Sequence, residues 1–413
     1  MSRKLPTLEE AWEEIADRLA PLAEEEIERR AALGRVLTRS LAATGDQPGE
    51  DVSAMDGYAL AGAVKPGESR QVAATVVAGD PPGCRLASGT AARIMTGAPV
   101  PLGADRVLPI EATDGGRDRV TFQAAAGPWE NIRRRGEVLA AGDELLPAGA
   151  TLTPGALSLA ASHGYASLPV HRAPTVAVLA TGDEVVPPET EPAPGQLRDS
   201  HTDFLLAAGT GLGLSFVALG IAPDRRDALA SLVECGLAFD VLLLCGGVSM
   251  GELDLVEGVL ADLGCRTVFD GVAIQPGKPM VFAVHDGGLV FGLPGNPASA
   301  MVTFWLFVAP ALRRLTGHAA AVWSGALSGI LREPLAKGTS RDRFLPAAAI
   351  PEAGRLLVTP FPPKGSHDLA AYGRGNALLR IRPEAPAAAA GSACEVLLLG
   401  GLDRQRTSRG PSP

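Results

Sequence analysis

The chain has 413 residues, enough for roughly two to four domains at the usual ~100–200 residues each. Hydrophobic residues make up 46% and aromatics only 4%, so the cores must rest on Leu, Val, Ala and Ile. A formal net charge of −9 argues against a broad nucleic-acid or anionic-membrane footprint, and an anionic ligand must then be met locally, by a metal ion, backbone amides or a few basic side chains.

In chain order, Thr7-Leu-Glu-Glu10 reads as a capping box opening a helix in which Leu8, Trp12, Ile15, Leu19 and Leu22 recur at helical spacing, with Pro21 at its end. A second helical pattern covers 29 to about 41, and the Gly-, Pro- and acid-rich stretch 44–50 marks a boundary. Residues 51–145 read as a β-rich module, with short apolar segments at 71–78, 91–95, 106–110 and 119–124 between Gly/Pro/Asp turns. Helical patterning returns over 147–173, ending in the run 166–170. This segment is expected to pack with the N-terminal helices. The β module, 46–145, is then an insertion in a discontinuous domain of 1–45 and 146–173.

From 174 the pattern becomes strand–helix alternation. Strands are expected at 175–180, 214–219, 241–245 and 266–269, with a hairpin of 280–284 and 288–292. Helices are expected at 200–211, at 224–235 with Asp224 as its cap, and at 253–263. The apolar run 298–312 follows Asn296 as a helix cap; it contains Ser299, Thr303 and Pro310, falls short of the ~20 residues of a membrane span, and reads as a buried helix. This is a three-layer α/β domain over 174–322 with a mostly parallel sheet. Strands at 327–331, 344–350, 356–359, 377–381 and 395–399 form a small β domain over 323–402, with 385–391 as a surface loop and 403–413 as a disordered tail. The fold class expected is α/β plus β: a multidomain chain with a helical N-terminal part, an inserted β module, an α/β domain and a C-terminal β domain. Five cysteines, an odd number without C-x-x-C spacing, fit a reducing cytoplasm, and no signal peptide is legible at the N-terminus.

Polar residues gather where such a sheet binds ligands, at the carboxyl ends of its strands. Val241-Leu-Leu-Leu-Cys245 is apolar throughout, as in a strand buried on both faces, and Cys245 reads as packing. Gly246 and Gly247 follow, then Ser249 and Asp254 ahead of a helix; this favours an anion over outward-pointing amides, and equally fits a plain tight turn. Thr181-Gly-Asp-Glu184 closes another strand, and Asp199 lies in the Pro/Gly-rich loop between the two. Carboxylates converging on one sheet edge raise one another's pKa unless a hard cation such as Mg2+ neutralises them; helix capping by Asp183 or Asp254 is the alternative. Lys278 is preset in Gln275-Pro-Gly-Lys-Pro279, and Leu293-Pro-Gly-Asn-Pro297 joins a strand to a helix; both suit a phosphate or a bare turn. Arg133, Arg134 and Arg135 fit an oxyanion clamp or a solvated basic turn. The histidines are scattered, which argues against zinc, and Ser249 has no nearby His or Lys to activate it as a nucleophile.

Ser-Ala-Met-Asp-Gly-Tyr-Ala (53–59), Arg-Ile-Met-Thr-Gly-Ala-Pro (93–99), Arg-Arg-Arg-Gly-Glu (133–137), Leu-Ala-Thr-Gly-Asp-Glu (179–184), Gly-Gly-Val-Ser-Met-Gly-Glu-Leu-Asp (246–254), Pro-Gly-Lys-Pro (276–279) and Gly-Leu-Pro-Gly-Asn-Pro (292–297) occur in this order. In them the chain resembles the molybdopterin molybdenumtransferases, the MoeA family that includes the gephyrin E domain, over nearly its whole length. The resemblance implies an elongated four-part subunit, a homodimer, a molybdopterin-binding α/β domain and a β-barrel-like C-terminal domain. The implied reaction takes adenylylated molybdopterin and molybdate with Mg2+, releases AMP and leaves molybdenum on the dithiolene sulfurs. The adenylyltransferase of the same pathway is the protein partner it suggests.

Carried over motif by motif, the resemblance implies that Asp56 and Thr96 reach the active cleft from the β module of the partner subunit. Glu184, Asp199 and Asp254 become the catalytic and metal carboxylates. Gly246, Gly247 and Ser249 cradle the pterin nucleotide, Lys278 lies near its phosphate or molybdate, and Pro294 and Pro297 shape the adjoining loop. Arg341, Arg343 and Ser366 face the cleft from the last domain. The chain departs from the pattern at the lead-in Gln47-Pro-Gly-Glu-Asp51, which lacks an aromatic, at Val138 in place of an Asp, at Arg198-Asp-Ser-His201, and at Gln275, where a lysine is common. Two other functions remain compatible with the sequence: a binding or scaffold paralogue with altered or no turnover, and a molybdopterin adenylyltransferase.

Overall fold

In the computed structural model, which describes residues 4–247 and 255–399, the apolar strand Val241–Cys245 lies inside a six-stranded sheet. The strand order is Phe216–Ala222, Val176–Thr181, Val241–Cys245, Gly288–Leu293, Val281–His285 and Arg266–Phe269. The first four strands run parallel and the last two are added antiparallel. Side chains alternate across the sheet, as the period of two requires. Val176, Val178, Val241 and Leu243 enter one core with Leu205, Phe216 and Phe304; Ala177, Leu179, Leu242 and Leu244 enter the other with Leu229, Val233 and Val259. Helix His201–Gly211 forms where expected, helix Arg226–Leu237 lies two residues beyond the expected 224–235, and the long apolar run forms Pro297–Thr303 and Ala309–Leu315 joined through a π turn at Phe304–Val308. It is buried along most of its length.

Helix Leu8–Ala16 begins with the capping box, Thr7 N–H donating to Glu10 Oε2 (2.8 Å) and Glu10 N–H to Thr7 Oγ1 (3.1 Å). It stops at Asp17 rather than near Leu22. Pro21 cannot donate within a helix and disfavours helical backbone at the residue before it, and the Leu22 amide bonds Leu315 instead (2.8 Å). The buried stripe of this helix, Leu8, Ala11, Trp12 and Ile15, belongs to the core of the α/β sheet.

The C-terminal sheet has the order Ile274–Gln275, Asp342–Glu352, Arg355–Pro360, Leu327–Leu331, Ala393–Leu398 and Ala377–Ile381, and closes on itself because Asp342–Glu352 also pairs with Ala377–Ile381. Its first strand comes from the α/β segment and pairs in parallel, Ile274 opposite Asp342 and Gln275 opposite Arg343. Beneath that junction lies a buried ion pair, Arg380 Nε to Asp342 Oδ1 at 2.6 Å, extended by Arg380 Nη2 to Glu9 Oε1 at 2.7 Å. The short helix Leu369–Arg374, not expected from the sequence, is capped by Asp368.

These elements form one unit, Met1–Glu25 with His171–Pro413; Glu26–Val170 forms a second. The second contains a five-stranded sheet ordered Arg106–Pro109, Gly57–Leu60, Thr90–Ile94, Ser69–Val76 and Arg119–Thr121, packed around Tyr58, Leu60 and Phe122 on one side and Ile94 and Val107 on the other. The helix expected over 29–41 does not form. Only a single 3-10 turn occurs, at Arg29–Ala31. Gly34 then adopts φ +77, and Val36 and Leu37 bridge to Thr151 and Val170, so tertiary pairing overrides a weak helical pattern. Helix Pro154–Ser162 shares its core with Ala32, Leu37, Leu41 and Val170 and not with the stripe of helix Leu8–Ala16.

Removing one partner of a buried ion pair strands the other charge. Asp342→Ala should therefore cost about 3–5 kcal/mol in urea unfolding, whereas Arg380→Met with Asp342→Leu should recover most of it; equal loss in both variants would contradict the assignment. Asp240 accepts a bidentate Arg172 and both the amide and hydroxyl of Thr175, which hold its carboxyl down at about 2 from 3.8. Its contribution is therefore complete above 3.8 and lost as pH falls toward 2. Thermal melts of Asp240→Asn should show a weaker acid dependence over that window than the wild type.

Candidate functional site

The carboxyl ends of the parallel strands are tied to one another through backbone. Gly182 N–H bonds Ala222 (3.1 Å), Gly246 N–H bonds Leu293 (3.2 Å), and the Thr181 hydroxyl donates to Cys245 (3.4 Å). Gly246 and Gly247 have φ of +92 and +60, and a Cβ at Gly246 would stand 3.0 Å from the Thr181 carbonyl, so the double glycine is required by both conformation and space. Gly182, at φ +131, is covered by the Glu184 side chain, whose Oε2 lies 2.5 Å from where a Cβ would sit.

Asp183 and Asp224 staple these turns reciprocally: Asp224 N–H donates to Asp183 Oδ1 (3.0 Å) and Asp183 N–H to Asp224 Oδ2 (3.3 Å). Asp224 therefore does not cap helix Arg226–Leu237, as the sequence suggested; its carboxylate is already engaged, and Arg225 occupies the cap position without a side-chain bond. Asp183 likewise precedes a turn and the short strand Val185–Val186, not a helix. Asp199 is buried and its carboxylate accepts His201 N–H (2.9 Å), Thr202 N–H (3.1 Å) and the Thr202 hydroxyl (2.5 Å), which anchors the start of helix His201–Gly211. Asp183, Asp199 and Asp203 line a cavity of about 560 Å³ with Gly182, Thr202 and Gly220. Burial pushes the His201 imidazole below its ordinary pKa, against the opposing pull of Asp199 and the Pro294 carbonyl.

The Leu293-Pro-Gly-Asn-Pro297 loop leads from this edge to a second cavity of about 420 Å³. Lys278, Arg341, Arg343 and Ser366 all line it, together with Gln275, Asn296 and Lys364, and among the described residues its lining contains no carboxylate. Arg341 just precedes strand Asp342–Glu352 and Arg343 lies within it; both reach the cavity while Asp342 between them bonds buried Arg380. Gly277 has φ +110, and a Cβ there would stand 2.7 Å from the Thr303 methyl, so only glycine allows the tight turn that presents Lys278. Ser366 also fixes the adjoining helix start, its carbonyl accepting the Ala298 amide (3.3 Å). Pro294 is buried at the loop and Pro297 opens the helix, so both hold backbone shape. Ser249 and Asp254 lie outside the described residues.

In the second unit, Asp56 and Thr96 are bonded directly. Asp56 Oδ1 accepts both the Thr96 amide (2.7 Å) and hydroxyl (2.8 Å), which hold its carboxyl below the usual carboxylate range while the residue stays exposed. The three arginines resolve toward the basic-turn reading. Arg134 bonds Asp51 (3.3 Å) and stacks 3.8 Å over Trp129, and Arg135 pairs with Asp46, so two of the three cations already have partners. Among the described residues no cluster of three or more His, Cys, Asp or Glu is arranged to hold a metal ion, and no helix is long and apolar enough to cross a membrane. Sequence reasoning missed Lys364, although Phe361-Pro-Pro-Lys-Gly365 carries the same signal as the flagged Pro-Gly-Lys-Pro turn: a lysine fixed between proline and glycine.

Family models match in succession along the chain: MoeA N-terminal region (domain I and II) over 6–164, a probable molybdopterin binding domain over 177–314, and MoeA C-terminal region (domain IV) over 328–399. The chain is 36% identical over 377 residues to molybdopterin molybdenumtransferase 2 of Mycobacterium tuberculosis, covering 88% of this chain and 92% of that one. It is 30% identical over 401 residues to molybdopterin molybdenumtransferase of Staphylococcus aureus, covering 95% of each. Among solved structures, a molybdopterin biosynthesis MoeA protein from Pyrococcus horikoshii superposes with a TM-score of 0.81 at 31% identity, over 96% of this chain and all of that one.

The Asp56–Thr96 contact is testable by itself. Thr96→Val removes the hydroxyl donor and keeps the amide, so the Asp56 carboxyl should titrate at a higher pH than in the wild type, though still below its ordinary value. Carbon-detected NMR of the carboxyl measures this; an unchanged titration would show that the hydroxyl does not stabilise the charged form.

Proposed function

The chain belongs to the MoeA family, and from that premise we propose that it is a molybdopterin molybdenumtransferase of molybdenum cofactor biosynthesis, taking adenylylated molybdopterin and molybdate and releasing AMP. One observation carries the reading: a chain with net charge −9 places Lys278, Arg341, Arg343 and Lys364 around a single cavity with no carboxylate among the described residues of its lining. Such a cavity selects a small, multiply charged oxyanion, as molybdate is, or the phosphate of a nucleotide.

In this reading Arg341 and Arg343 orient the oxyanion from the strand, Lys278 meets it from the opposite turn, and Ser366 holds its side of the cavity in place. The Gly246-Gly247 turn and the Pro294–Pro297 loop cradle the pterin nucleotide, since backbone without side chains admits a flat ring and its phosphate closely. Asp56, kept ionised by Thr96, takes part in the reaction by family resemblance.

Mg2+ is usually held by one or two carboxylates plus substrate phosphate. The donors at the strand ends fit it in kind: Asp199 uses three of the roughly four acceptor positions of a carboxylate on its helix, and Glu184 lies at the adjacent turn. Asp199 and Glu184, with Asp254, would hold the ion. When bound, Mg2+ neutralises phosphate charge and polarises the anhydride. The same proposal includes a cytoplasmic homodimer and substrate delivery by the pathway's adenylyltransferase.

The test is AMP release from adenylylated molybdopterin, with molybdate and Mg2+ omitted in turn. Release that needs both, with active cofactor formed, is the expected result; bound substrate without release under any condition would favour a binding protein. Asp56→Ala should lower turnover by about two orders of magnitude or more while leaving the melting temperature within a few degrees. Global unfolding of that variant would remove Asp56 from the reacting group.

A further inference from the structure

The basic cavity has one cation that lies outside every motif the family resemblance supplies. We propose that Lys364 is a substrate-binding residue of this enzyme, supplying from the Pro362–Ser366 turn a positive charge that the neutral Gln275 does not supply to the same cavity. The inference rests on the reading of this cavity as the oxyanion site.

The geometry supports it in three ways. Lys364 and Gln275 line the same cavity, from separate segments: Gln275 from the strand that joins the C-terminal sheet, Lys364 from the turn ahead of helix Leu369–Arg374. The backbone of Lys364 is fixed while its side chain is exposed. Its amide donates to Asp368 Oδ2 (3.0 Å), Asp368 Oδ1 accepts Ala371 N–H (3.1 Å), and Asp368 N–H returns to Gly365 (3.2 Å), closing the turn onto the helix. Gly365 is overlaid by the exposed His367 ring, whose Cε1 would lie 2.8 Å from a Cβ there, so a larger residue beside the lysine would have to displace that ring. Among the described residues the ammonium of Lys364 makes no salt bridge, and Asp368, the carboxylate nearest in sequence, is committed to the turn's amides.

A lysine held at its root and open at its tip suits a tetrahedral dianion. Arginines at Arg341 and Arg343 present planar forks from one wall. A dianion engaged on that side keeps oxygens directed away from it, which Lys278 and Lys364 can approach as point charges from the two flanking turns. An exposed ammonium also gives the anion a cation to meet at the cavity mouth. Lys364 is therefore a specificity residue for charge: it favours a dianion over a monoanion of similar size.

The experiment is calorimetric titration of the intact protein with molybdate, and with perchlorate as a tetrahedral monoanion. In the wild type, molybdate should bind and perchlorate bind far more weakly. Lys364→Gln should weaken molybdate binding by roughly tenfold, the effect of losing one charged hydrogen bond, and narrow the preference for dianion over monoanion. Gln275→Lys in the Lys364→Gln background should restore molybdate affinity, because the two positions face one cavity. Lys337→Gln, which removes a charge from an exposed pair with Glu384, controls for net charge and should leave binding unchanged. If the wild type binds molybdate and Lys364→Gln binds it equally well, Lys364 is not a ligand and the inference is wrong. If the wild type binds no molybdate, the reading of the cavity as an oxyanion site fails, and the inference with it. Circular dichroism of each variant separates loss of a ligand from loss of fold.

Discussion

The structure depends on a junction of two residue pairs, Ile274 with Asp342 and Gln275 with Arg343, through which the α/β segment lends a strand to the C-terminal sheet. The two segments also share a core, in which Phe344, Tyr372 and Leu378 pack with the α/β residues, and together they bring Lys278 and the arginines at 341 and 343 to one cavity. The pairing is secured from below. Asp342 points away from the cavity to buried Arg380, and Glu9 of the N-terminal helix completes the network. Three consecutive residues at the start of strand Asp342–Glu352 thus send charge in two directions: two arginines to the cavity and one aspartate to the core.

A second constraint acts at the strand ends. Glycines occupy the positions where strands 176–181 and 241–245 turn at the carboxyl edge of the parallel sheet. The carboxylates there are mostly structural in their observed contacts: Asp183 with Asp224 across the turns, Asp199 on the helix amides. Such contacts keep several negative charges in place without mutual repulsion dispersing them, because each is stabilised by backbone N–H groups. The Leu293–Pro297 loop then connects an acidic edge to a basic cavity over a few residues, an arrangement suited to a substrate that carries phosphate and meets a separate oxyanion.

Much of this was legible in the sequence, for physical reasons that differ by element. Strands 241–245, 266–269, 327–331 and 377–381 match the expected limits residue for residue, since short apolar runs bounded by glycine or charge have few other solutions. The helix expected over 29–41 failed because its pattern was weak and long-range bridges to Thr151 and Val170 were available. The strand at Ile274–Gln275 was not expected, and Gln275 was placed in the turn to Pro279, as its partner lies about seventy residues away and two residues carry no period. Asp224 resembled a helix cap by position alone; its reciprocal bond to Asp183 depends on two strands lying side by side, which local sequence does not encode. The grouping of Lys278, Arg341, Arg343 and Ser366 came from motif resemblance rather than spacing, and the fold brings all four to one cavity. Lys364 escaped both routes, because it sits outside the motifs and its turn looked ordinary.

The most direct test of this account is to locate the oxyanion. Tungstate is tetrahedral and doubly charged like molybdate, and its anomalous scattering marks its position without ambiguity. A crystal of the full chain soaked in tungstate at low ionic strength should show one strong anomalous peak within hydrogen-bonding distance of Lys278 and the two arginines, Arg341 and Arg343. A peak at the strand-end carboxylates, or at the arginine turn of the second unit with none in this cavity, would contradict the central claim that the spliced junction exists to build an oxyanion site.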